Sequence, residues 1–207
     1  MIGKENYDKV NKNEKMPGFL YMAKTMKRIT VLSILMTVSF CLLYQMTAST
    51  VSFTLAITSG TIMYHFTVRL LVGTVFDRIM QNKADYTKKW FQVSQSEMKL
   101  YQTLKVKRWK TKMPTYDMDV FDVSKHSWEE ILQATCQSEL VHEANVILSF
   151  LPVAASAWFG SLGVFMITSV LSAVFDLMFV LMQRFNRFRI LKLKKRRSLP
   201  AHPLVNQ

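Results

Sequence analysis

Glu139 and His142 stand one helical turn apart in the stretch Cys136-Gln137-Ser138-Glu139-Leu140-Val141-His142-Glu143. On a helix they share a face. A carboxylate beside an imidazole fixes its tautomer and raises its basicity, and the pair can take a proton from a hydroxyl. The plainer alternative is a solvated helix face that happens to carry both residues. Glu-x-x-His also occurs in di-iron bundles, but there it comes twice with further glutamates. Here it occurs once, so neither a metal site nor a bound cofactor is expected.

Three other groups could bind or position a ligand. Gln183-Arg184-Phe185-Asn186-Arg187-Phe188-Arg189 alternates arginine with aromatic residues. Its arginines suit phosphate or carboxylate, because guanidinium bonds such groups with two parallel N–H donors. The stretch Leu104 to Pro114 carries Lys105, Lys107, Lys110 and Trp109, and could dock an anionic acyl donor or lipid headgroups. Asp176 lies inside an apolar run, where an acid is costly and marks a functional hypothesis. His65 and Arg69, four residues apart in another apolar run, are its possible partners. In each case a structural role competes: an anchor of positive charge, a headgroup-binding stretch, or a neutral hydrogen-bonded acid.

These residues are positioned by an unusual distribution of apolar sequence. The chain has 207 residues and half are hydrophobic. They concentrate in residues 29–76 and 144–182, with charge crowded around them. Segregation on that scale is what a bilayer imposes. Two spans are expected in each block, with turns at Gln45–Thr50 and Gly160–Gly163. Thr47, Thr54 and Thr61 recur every seven residues and are expected to mark a helix–helix contact. Pro152 predicts a kink, Met113-Pro114 a break, and Ser127 with Glu129 and Glu130 a helix start.

Net charge is +13, from 27 Lys plus Arg against 14 Asp plus Glu. Ten basic residues lie between Arg78 and Lys112, and eight between Gln183 and Arg197. Both runs abut apolar blocks, so anionic lipid headgroups are the expected partner, not nucleic acid. Lys24, Lys27 and Arg28 precede the first apolar run and favour an uncleaved anchor with its amino end in the cytoplasm. Cys41 and Cys136 offer no disulfide framework. Glycine-rich phosphate loops, nucleophile elbows and paired-cysteine metal motifs are missing from the sequence.

The expected fold is therefore all-α. It is an integral membrane bundle of about four transmembrane helices, with a cytoplasmic helical segment between spans two and three. Residues 1–28 form an amino-terminal tail, 29–76 a helical hairpin, and 77–143 a cytoplasmic or interfacial segment. Residues 144–182 form a second hairpin and 183–207 a basic cytoplasmic tail.

From Thr87 to Arg197 the chain resembles the bacterial glycosyl-diaponeurosporenoate acyltransferases. The likeness rests on Tyr101-x-x-Leu104-Lys105-x-Lys107-x-Trp109-Lys110 with Pro114, and on Thr135-Cys136-x-x-Glu139-Leu140-x-His142. It continues through Leu151-Pro152 and Gln183-Arg184-Phe185-Asn186-Arg187-x-Arg189. The resemblance implies a fatty acyltransferase of a bacterial cell membrane, acylating a sugar hydroxyl on a carotenoid glycoside or another lipid-linked sugar. The donor would be a coenzyme A or acyl carrier protein thioester. His142 would be the general base and Glu139 its orienting carboxylate. Arg184, Arg187, Arg189, Lys105, Lys107 and Lys110 would hold the donor. The alternative is a non-catalytic multi-pass protein, an accessory or interaction subunit that binds anionic lipids.

Overall fold

The computed structural model describes residues 19–113, 121–122 and 124–198. The expected amino-terminal tail before Phe19, the Pro114 break and the chain beyond Ser198 lie outside them. The described residues are helical and contain no strand. Helices α1 (Phe19–Thr47) and α2 (Thr50–Met80) form one hairpin. Helices α5 (Trp128–Leu148), α6 (Leu151–Phe159) and α7 (Leu162–Ser198) form the other. Between the hairpins run a 3-10 turn at Lys89–Phe91, α3 (Gln95–Thr103), α4 (Val106–Trp109) and a second 3-10 turn at Lys110–Lys112.

Four helical stretches are long and apolar enough to cross a membrane: Lys24–Thr47, Thr50–Met80, Trp128–Phe159 and Leu162–Arg196. Their outer faces carry the large apolar side chains. Leu32, Leu35, Val38 and Leu42 of α1 are exposed, while Ser33 is buried. On α2, Ser52, Ser59, Thr61 and His65 are buried, and Leu55 and Ile62 are exposed. Small and polar residues inside with leucines outside is the pattern expected when lipid, not water, surrounds the helices. The seven-residue threonine repeat is only partly this contact. Thr61 is buried, but Thr47 is exposed and bonds the Leu43 carbonyl of its own helix. Ser52 and Ser59, also seven apart, are both buried.

The first hairpin turns at Ala48-Ser49, inside the expected turn. Ala48 adopts a left-handed conformation there, with φ 50°. The second turns at Gly160-Ser161, where Gly160 has φ 65°. The Pro152 expectation needs correction. Helix α5 ends at Leu148, and a new helix begins at Leu151 with Pro152 in its first turn. Proline lacks the N–H that an interior helical position must donate, so it starts a helix more readily than it bends one. Ser127 caps α5 as the sequence implies. Its hydroxyl accepts from the Glu130 N–H while the Glu130 carboxylate accepts from the Ser127 N–H.

Helices α5 and α7 pack antiparallel. Ser138 meets Gln183, His142 meets Phe179, and Ser149 meets Ser172. The steps up α5 are four and seven residues, and the steps down α7 are the same. That register sets what each polar residue faces.

Candidate functional site

His142 projects from α5 toward α7, where its ring stacks on Phe179 at a centroid distance of 4.5 Å and an interplanar angle of 7°. Its Nδ1 lies 2.9 Å from Asp176 Oδ1. Asp176 Oδ2 accepts two hydrogen bonds from Arg69 of α2, from Nε at 3.1 Å and Nη2 at 2.7 Å. Arg69 Nη2 also reaches the Ser172 hydroxyl at 2.8 Å, and that hydroxyl meets Ser149 Oγ at 2.8 Å. Three helices thus contribute to one chain of contacts, Ser149–Ser172–Arg69–Asp176–His142. Asp176 is fully buried. A buried carboxylate requires a paired charge and further donors, and both are present here.

The sequence-based pairing of Glu139 with His142 is corrected by this geometry. Glu139 is fully buried and faces the end of α7 nearer the interfacial segment. It accepts from Arg184 Nη1 at 2.5 Å and from Arg187 Nη2. Three residues turn a helix by about 300°, so neighbours at this spacing diverge by roughly 60°. Across an antiparallel partner, that offset sends the two side chains to different residues.

Arg184 and Arg187, expected to clamp a donor, are occupied internally. Arg184 bonds Glu97 Oε1 at 2.5 Å and the Trp90 and Gln92 carbonyls at 2.9 and 3.1 Å. Arg187 is fully buried, bonds the Phe91 carbonyl at 2.9 Å, and stands 5.2 Å over the Phe91 ring. Two guanidinium groups meet two carboxylates, so the charges cancel. The group ties Lys89–Phe91 and α3 to the transmembrane helices. Glu97 is placed for this by its own helix, since it is the third residue after Ser94 in a capping box. Burial alone would raise the Glu97 carboxyl. The Arg184 guanidinium and the Tyr101 hydroxyl outweigh it and hold the group below the usual glutamate range. Burial first, and then Glu97, push the Tyr101 phenol well up.

The remaining cations lie elsewhere. Lys110 donates to Asn186 Oδ1 at 2.5 Å and sits 5.1 Å from the Phe185 ring centroid, with Arg189 5.9 Å from the same ring. Burial, then the charges of Arg189 and Lys107, push the Lys110 ammonium below its ordinary value. No carboxylate pairs with Lys107, Lys110 or Arg189 among the described residues. Lys105 caps α4 in a left-handed conformation, φ 50°, and is exposed. Trp109 Nε1 donates to the Leu104 carbonyl. His65 is buried one turn from Arg69, and its Nε2 has no partner among the described residues. Arg69 reaches only its backbone carbonyl, at 3.4 Å.

A cavity of about 320 Å3 opens beside His142. Met26, Leu70, Val141, Phe175 and Phe179 supply its apolar wall. Asp77, Asn82, Gln137, Ser138 and Gln183 supply a polar one, and Asn145 lines it near His142. Gln137 Nε2 donates to Asp77 Oδ1 at 2.7 Å, and its Oε1 accepts from the Asn82 N–H at 2.6 Å. Sequence reasoning missed this polar wall and Asn145. A periodic signal was available for part of it: Ser138, His142 and Asn145 recur at four and three residues along one face of α5.

The helices and this site define a polytopic membrane protein with a histidine paired to a buried carboxylate at the edge of an amphiphilic cavity. The model of one family, described as glycosyl-4,4'-diaponeurosporenoate acyltransferase, matches residues 87–196, over half of the chain. The chain belongs to that acyltransferase family. No curated protein and no solved structure matches it.

Proposed function

We propose that the protein transfers a fatty acyl group from a thioester to a hydroxyl of a lipid-linked sugar or carotenoid glycoside at the membrane. The observation that carries this reading is the His142 Nδ1–Asp176 Oδ1 contact of 2.9 Å at the cavity wall. Asp176 Oδ2 already accepts from Arg69, so Oδ1 serves as acceptor for an Nδ1–H. The tautomer with its proton on Nδ1 leaves Nε2 free to take a proton. An acceptor hydroxyl bonded to Nε2 would lose its proton as its oxygen attacks the thioester carbonyl carbon. The C–S bond then breaks, and the thiolate leaves with the proton from the imidazolium. Water is a competing nucleophile, and the stacked Phe179 with the apolar wall limits its access.

The cavity is at the small end of the roughly 300–1,000 Å3 typical of ligand pockets. It fits the reacting ends of two lipids, whose chains would extend into the bilayer. The polar wall suits a sugar. Lys107, Lys110 and Arg189, which pair with no carboxylate among the described residues, would hold the anionic part of the donor in place of the neutralised Arg184 and Arg187.

Membranes holding the full chain, given radiolabelled palmitoyl-coenzyme A and a carotenoid glucoside, should form a labelled ester that chain-free membranes do not. An unchanged lipid profile from cells with and without the protein would support the accessory-subunit reading.

Thioesters of this kind are cytosolic, so the reading places both ends and residues 77–143 on the cytoplasmic side. The basic segments favour that orientation. Impermeant thiol reagents should label a cysteine at Leu162 in intact cells, but not one at Ser124, once Cys41 and Cys136 are replaced. Leu162 is the better probe site because Gly160 and Ser161 hold positive φ angles. Labelling at Ser124 alone would put the site on the wrong side for the donor.

A further inference from the structure

Asn145 lies one helical turn beyond His142 on α5 and lines the same cavity. It is only 3% exposed. Its Oδ1 is sealed from solvent without a hydrogen-bond partner, and its Nδ2 donates to no described residue. Neighbouring polar side chains differ. Ser149 Oγ donates to the Asn145 backbone carbonyl and meets Ser172, while Gln137 is bonded at both ends. An unmade hydrogen bond on a buried amide destabilises the fold. Native structures hold few such groups, and those retained need an explanation.

The reaction leaves one need unmet by His142, Asp176 and Arg69. As the acceptor oxygen bonds to the thioester carbon, the carbonyl electrons move onto the carbonyl oxygen. That oxygen requires a donor already in place. Residues three apart on a helix have Cβ atoms about 5–6 Å apart. Both side chains line the same cavity, so a tetrahedral carbon held there would have its attacking oxygen toward His142 Nε2 and its carbonyl oxygen toward the amide. Oδ1 is the sealed atom, and Nδ2, which donates to no described residue, is the end left open to the cavity.

We propose that the Asn145 side-chain amide donates a hydrogen bond to the acyl carbonyl oxygen as it gains negative charge, an inference that rests on the acyl-transfer reading. The Nδ2–H is then a donor held ready for the transition state.

Asn145→Leu keeps the volume and removes the donor. Asn145→Asp keeps the shape and replaces donor by acceptor. Full-length variants would be purified in nanodiscs and assayed with palmitoyl-coenzyme A and a long-chain alkyl glucoside. Both should lose about 10²–10³-fold in kcat. KM for each substrate should stay within about threefold, because the interaction forms only in the transition state. Thermal stability of Asn145→Leu should equal or exceed that of the natural protein, since an unsatisfied group has been removed. A merely structural asparagine would instead lower the melting temperature.

A kcat within tenfold of the natural protein's in both variants, or a raised KM at unchanged kcat, would overturn the assignment. His142→Gln, assayed alongside, separates the two levels. If it is inactive while the Asn145 variants turn over normally, only the role of Asn145 fails. If it is active too, the reading of His142 as base fails. Absence of transfer by the natural protein from both acyl-coenzyme A and acyl carrier protein overturns both.

Discussion

Replacing His142 by Gln should abolish acyl transfer, with a fall on the order of 10⁴-fold, while the protein stays folded and inserted. Glutamine is chosen because its amide, one bond further from Cβ than Nδ1, can still turn an N–H toward Asp176 Oδ1. The buried carboxylate would keep its acceptor role and the Arg69 pair would stay intact. What glutamine cannot do is take a proton. Asp176→Asn should be as inactive for a different reason. Asparagine can offer its N–H to Nδ1, which selects the tautomer with the proton on Nε2 and leaves no base toward the cavity. That type of swap costs a catalytic triad about 10⁴-fold. Asp176→Asn also strips Arg69 of its counter-charge, so its melting temperature should fall where that of His142→Gln does not. Turnover and thermal unfolding measured on both variants check the pattern. Full activity in a folded His142→Gln protein would remove the general base from the mechanism.

The span architecture was legible because it rests on segregation. Two apolar blocks bounded by basic runs leave little choice once a bilayer is the solvent. The Ser127 cap was legible because a capping box is local, complete within four residues. The partner of His142 was not. Asp176 stands 34 residues away, and only the α5–α7 register decides that His142 meets Phe179 and Asp176. Asp176 could be singled out as a costly acid, with Arg69 as a possible partner. Nothing in the sequence tells which of Glu139 and Asp176 the histidine touches. The arginine run misled in a similar way. Cations beyond a span usually face headgroups. Here Glu97 and Glu139 turn two of them inward, and one of those carboxylates lies 87 residues from its arginine.

Glu139→Ala should unfold the protein or empty the membrane of it, since Arg187 would be left fully buried with no carboxylate. Breaking a buried pair by removing one partner costs about 3–5 kcal/mol, a large share of a typical net stability of about 5–15 kcal/mol. Arg184 is affected less, because it retains Glu97. Such a loss would look like a catalytic defect in any assay on whole cells, so a second substitution is required. Exchanging Arg187 for Met in the same chain removes the stranded charge along with its partner. Replacing a buried ion pair by apolar residues of similar volume is often neutral or stabilising, so Leu takes the place of Ala at position 139 in this variant. The double variant Glu139→Leu/Arg187→Met should therefore accumulate in membranes and melt near the natural protein, and it should regain acyl transfer. Recovery requires that the two residues serve to dock the interfacial segment, which Arg184 still holds through Glu97 and the Trp90 and Gln92 carbonyls. A double variant that is stable yet inactive, with His142 unaltered, would return Glu139 to the chemistry itself.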